Sequence, residues 1–120
     1  MTSSGSADTR RDAHEILQLL LNSPQLAQYY HFDVRPDRTP LKIVNPTPID
    51  IGDSDLTAAG QKTLISTERD NRAIEITAFT IANDAAEIGF TFRVEGVIGH
   101  GTFNRVGGKW SLDKLSVAER

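Results

Sequence analysis

Apolar residues at Ala13, Ile16, Leu17, Leu20 and Leu21 recur with the spacing of one helical face. Leu19 widens that stripe, while Arg10, Arg11, Glu15 and Gln18 take the solvent side. The pattern predicts a helix capped by Asp8 or Thr9, preceded by a small, polar, disordered tail over residues 1–7. Asn22-Ser23-Pro24 closes it and opens a short second helix over about 24–30, with Ser23 as N-cap and Pro24 at the first helical position.

Beyond Tyr30 the period changes from helical to alternating. Residues 32–34 read as extended and 35–40 as a turn cluster. Leu41-Lys42-Ile43-Val44 reads as a short strand, and 45–60 as the longest irregular connection. One helical turn is expected there, at Leu56-Thr57-Ala58-Ala59, ended by Gly60. From Lys62 the chain reads as an antiparallel meander of about five strands, over 63–68, 73–82, 87–95, 97–106 and 109–117. The Gly107-Gly108 pair suits a hairpin turn with positive φ. Alternation is clearest where Ile88, Phe90, Phe92 and Val94 interleave with Gly89, Thr91, Arg93 and Glu95. Matching faces adds Ile74, Ile76, Val97, Phe103, Trp110 and Leu112 to the expected core.

One irregularity interrupts this alternation. With Ile74 and Ile76 facing the core, Phe79 and Ile81 fall on the nominally polar face. Either a bulge near Ala78 returns them to the core, or they form a second apolar surface for dimerisation or partner docking. The expected fold is a single α+β domain over residues 8–120, with helices on one face of a curved sheet. By layout, this resembles the cystatin-like group, which includes the nuclear-transport-factor-2-like domains. The closing pair, Gly99 to Leu112, is similar to the last hairpin of many such domains. The likeness concerns architecture alone. Those domains usually carry a longer N-terminal helical section, and fold does not fix function.

Composition narrows the chemistry. The 120 residues carry a formal charge of −3, so no net positive field attracts nucleic acid. With no cysteine there is no disulfide, thiolate nucleophile or Cys-ligated metal. No apolar run reaches the roughly 20 residues of a membrane span, and no secretory leader is visible. A cytoplasmic location is the default expectation, and a secreted form with its leader removed is equally compatible with the composition.

Candidate chemistry is sparse. His100, between Gly99 and Gly101, points away from the Phe103 side, towards a polar sheet face where a carboxylate would make it a general base or pH-sensitive group. Tyr30, His31 and Asp33, at the helix-to-sheet junction, are placed to line the mouth of a ligand pocket. Asp50-Ile51-Gly52-Asp53-Ser54-Asp55 suggests a calcium loop, but an EF-hand starting at Asp53 would need glycine and glutamate where Ala58 and Leu64 stand. No metal or cofactor is expected.

Three readings follow from different classes. The first is a small non-enzymatic interaction module of adaptor or immunity type. It would pair with a protein partner or itself through an edge strand or the sheet face carrying Phe79 and Ile81. The second is a small-molecule or lyase/isomerase-type pocket between helix and sheet, using Tyr30, His31, Asp33 and His100. The third is a purely structural accessory domain.

Overall fold

A computed structural model describes residues 4–30, 41–47, 49, 51, 56–58, 60–66, 68 and 72–119, with side chains from residue 10 onward. Helix α1 spans Ser4–Leu21 and so begins inside the stretch expected to be a tail. Its apolar stripe is the buried one, with Ala13, Ile16, Leu17, Leu20 and Leu21 at most 1% exposed. Each buried leucine or isoleucine contributes about 1.5–3 kcal/mol before entropy is subtracted. Helix α2, Pro24–Ala27, is a single turn. Ser23 caps it through the backbone, its carbonyl accepting the N–H groups of Leu26 and Ala27 at 3.1 and 2.9 Å.

The strands are β1 (Leu41–Val44), β2 (Thr57–Ala58), β3 (Gln61–Ser66), β4 (Ile74–Ala82), β5 (Ala85–Phe92), β6 (Val97–Val106) and β7 (Lys109–Glu119). They form one curled, half-barrel sheet in the order β2-β3-β1-β4-β5-β6-β7, so the molecule is α+β as expected. The sheet has seven strands rather than five and is mixed rather than wholly antiparallel. Only β4 to β7 form an antiparallel meander. Strand β1 lies between β3 and β4 and runs parallel to both. A parallel neighbour needs a crossover, and the connection after β1 supplies it, with Ile51 and Leu56 buried along it. The helical turn expected at 56–59 is replaced by β2, which pairs with β3 around Gly60, a residue with φ +80°.

The register shifts between Ile76 and Ala78. This bulge returns the side chains of Phe79 and Ile81 to the inner face, where Phe79 is 5% exposed and Ile81 packs against the core. The apolar surface that nominated them for an interface is thereby absorbed into the core. Val94, expected inside, sits in a 3₁₀ turn over Arg93–Glu95 and is exposed, because β5 ends at Phe92. Leu112 is half-buried, and the other eight expected core residues are buried.

Candidate functional site

Helix α1 meets the β6–β7 hairpin through a polar cluster. The two-residue turn at Gly107-Gly108, both with positive φ, sets Arg105 opposite Trp110. That register lays the guanidinium 5.1 Å from the indole centroid. Arg105 Nε donates to Asp84 Oδ1 at 3.0 Å, and its terminal nitrogens donate to the Asn83 carbonyl at 2.7 Å and to both Asp12 oxygens at 3.3 Å. Asp12 also accepts the Trp110 indole N–H at 3.0 Å. Three residues along α1, Glu15 accepts the Trp110 backbone N–H at 2.9 Å. The Asp84 hydrogen bond, followed by the fields of Asp12 and Asp84, outweighs lost hydration and raises the Arg105 pKa, so the charge that holds the cluster is permanent. An open groove of about 420 Å³ runs beside it, lined by Arg11, Asp12, Glu15, Arg105 and Gly108.

The same helices cover much of the sheet's open edges. At the β2 edge, the Gln18 side-chain amide pairs with Thr57, donating to its carbonyl at 2.9 Å and accepting its N–H at 3.0 Å. At the β7 edge, Glu15 takes the Trp110 N–H, and Gln25 donates to the Leu115 carbonyl at 3.2 Å. Exposed strand edges are templates for unwanted pairing, and side-chain cover of this kind blunts them. The cover stops at Leu115. Outward-facing backbone groups alternate along an antiparallel strand, so those of Val117 and Glu119 face the same way as Leu115's. They have no hydrogen-bond partner among the described residues. Leu112, Leu115 and Val117 are half-buried on the inner face along this stretch.

The residues nominated from sequence are dispersed. Tyr30 is 1% exposed, its hydroxyl donates to the Leu21 carbonyl at 2.9 Å, and its ring meets Phe92 edge-on. Burial pushes its phenol pKa up. It anchors the helix-to-sheet junction instead of lining an open mouth. His31 and Asp33 lie outside the described residues, as do Asp50, Gly52, Asp53, Ser54 and Asp55 of the acidic loop. His100 points to the outer face, away from α1, with Nε2 3.9 Å from Glu87 Oε2. Both side chains are more than half exposed, at 55% and 64%, and such a surface pair contributes little. On the same face, Arg93 lies 3.8 Å from the nearly buried Glu75, and the buried Thr91 hydroxyl has no partner among the described residues.

Sequence reasoning did not single out Asp12, Gln18, Gln25 or Arg105 as a group. The spacing of Asp12 and Glu15 puts both on one helical face, but nothing in one chain says which strand they meet. Among the described residues, no helix is long and apolar enough to cross a membrane, and no three His, Asp or Glu side chains are grouped to hold a metal ion. No protein-family model, curated protein or solved structure matches this chain significantly.

Proposed function

We propose that this chain is a small non-enzymatic protein-interaction module that accepts an extended strand along the outer edge of β7, from Leu115 to Glu119. One observation carries the reading: side chains of α1 and α2 cover the edges at Thr57, Trp110 and Leu115, while the outward groups of Val117 and Glu119 have no partner among the described residues. Strand addition uses main-chain hydrogen bonds for affinity and alternate side-chain positions for specificity. Here those positions are the half-buried Leu115 and Val117 on one face and the exposed Ser116 and Ala118 on the other. The cystatin-like layout enters this proposal only as a shape, a helix held against a curled sheet, and the parallel β1 departs from it.

A second reading, a small-molecule or lyase/isomerase-type site, has the groove beside Arg105 as its natural place. It is the weaker one. Asp12, Glu15 and Arg105 already bond to each other or to Trp110, so a ligand would have to displace those bonds.

Val117→Pro tests the edge, because proline removes an outward N–H that the fold does not use and is tolerated on edge strands. Native mass spectrometry of protein recovered gently from its own host should reveal a protein partner or a second copy. The variant should weaken that association at least about tenfold while the thermal midpoint changes little. Ser116→Pro, whose N–H faces His100 in the β6 ladder, should instead lower the midpoint. Association that survives Val117→Pro would place the interface elsewhere. Absence of any association would contradict the module reading.

A further inference from the structure

Resting on the reading of β7 as an interaction edge, we infer that the strand it accepts is β7 of a second copy. The two strands run antiparallel, with Ser116 on the two-fold axis. A two-fold pairing requires that residue i face j while j faces i. Side chains directly opposite each other must also lie on the same face of the joined sheet, so the axis passes through a residue and never between two. Within the open stretch, three axes align outward-facing N–H and C=O groups, and the one at Ala118 sets Val117 against the carboxylate of Glu119 in the second copy.

An axis at Val117 sets Leu115 against the carboxylate of Glu119 in the second copy. An axis at Ser116 sets Leu115 against Val117 of the second copy, twice, and forms four backbone hydrogen bonds. Both residues are half-buried in the single chain, so the pairing completes the cover of two apolar side chains per copy. Cross-strand apolar pairs of this kind are the unit of sheet stabilisation. On the outer face the same register places Ser116 against Ser116 and Lys114 against Ala118, so no like charges oppose each other. The next pair by this count is Asp113 and Glu119 of the second copy, two carboxylates, so the pairing ends with residues 114–118. Asp113, the extra residue of the β7 irregularity opposite Thr102 and Phe103, accepts a hydrogen bond from Thr102.

Among the described residues, the bond to be released is the 3.2 Å one from the exposed Gln25 to the Leu115 carbonyl, and an incoming N–H replaces it. Residues 114–118 thus set apolar against apolar and oppose no like charges, whereas Trp110 farther along the edge is closed by Glu15. Five paired residues bury far less than the roughly 1,200 Å² of a standard stable interface. The dimer is therefore transient and concentration-dependent.

The chain's lack of cysteine makes the test clean. In this register Ser116 faces its own copy across a non-hydrogen-bonded pair, with Cα atoms about 4.5 Å apart, inside the range that disulfides span. Ser116→Cys protein, oxidised at high concentration, should form a disulfide-linked dimer at least about tenfold faster than Lys114→Cys, which is equally on the surface but faces Ala118. Adding Val117→Pro should remove that advantage, with circular dichroism reporting that the variants remain folded. Equal rates for the two cysteines would mean random collision and would overturn the second copy as occupant. If a host protein is then still lost on Val117→Pro in native mass spectrometry, the edge reading stands and only its occupant is wrong.

Discussion

Gly99→Ala should destabilise the protein by about 3 kcal/mol, the upper end of the usual cost of overpacking. Gly99 stands directly opposite Phe90 across the β5–β6 ladder, and a Cβ there would lie within 2.7 Å of three atoms of the Phe90 ring. The ring is 1% exposed at the centre of the inner face, so it cannot swing into solvent to make room. Gly101→Ala provides the contrast. Its added Cβ would meet Phe103 Cε1 at 3.3 Å and Leu115 Cδ1 at 3.5 Å, both at the ends of side chains that can shift slightly. That variant should cost less than about 1 kcal/mol. Urea unfolding of the two variants measures the difference. If Phe90 is the cause, adding Phe90→Leu to Gly99→Ala should cost less than the sum of the single substitutions.

Asp12→Ala should have the next largest effect. It removes the acceptor of the Trp110 indole N–H and one of the two carboxylates that hold Arg105 over the ring. Trp110 is 4% exposed, so its indole N–H is left with little access to water. An orphaned buried donor costs about 1–3 kcal/mol. Asp84→Ala removes the other carboxylate on Arg105, but that side chain is 74% exposed, and a surface pair of this kind is worth about 0–1 kcal/mol. Thermal denaturation should therefore rank Asp12→Ala well below Asp84→Ala. Equal midpoints would mean that Asp12 does not fix α1 to the hairpin. Loosening α1 should also free the Trp110 backbone N–H from Glu15 and lengthen the open edge of β7.

The elements legible in the sequence are those governed by local rules. The helical stripe from Ala13 to Leu21, the Ser23-Pro24 start of α2 and the glycine turn at 107–108 each follow from spacing or backbone preference alone. The bulge near Ala78 was also marked, because Phe79 and Ile81 break an otherwise regular alternation. The parallel placement of β1 was not legible, since it depends on where a long irregular connection carries the chain. Thr57-Ala58 reads as part of a helical turn, and only its pairing with Gln61 and Lys62 makes it a strand. The edge cover was hidden for a related reason. Gln18 and Gln25 look like ordinary solvent-facing residues of amphipathic helices, and only the curl of the sheet brings Thr57 and Leu115 within reach. Tyr30 has the residue type of a pocket-mouth group, whereas the Leu21 carbonyl, left without a helical partner at the end of α1, takes its hydroxyl internally.

The central claim is that side chains of α1 and α2 hold the sheet's edges at Thr57, Trp110 and Leu115 while, among the described residues, the outward groups of Val117 and Glu119 stay open. Residue-resolved amide hydrogen exchange tests it most directly. In dilute protein the Trp110 and Thr57 amides, held by Glu15 and Gln18, should exchange slowly, while the Val117 amide exchanges fast. Raising the protein concentration should slow Val117 selectively. A Val117 amide as protected as Trp110 in dilute solution, and indifferent to concentration, would contradict the account.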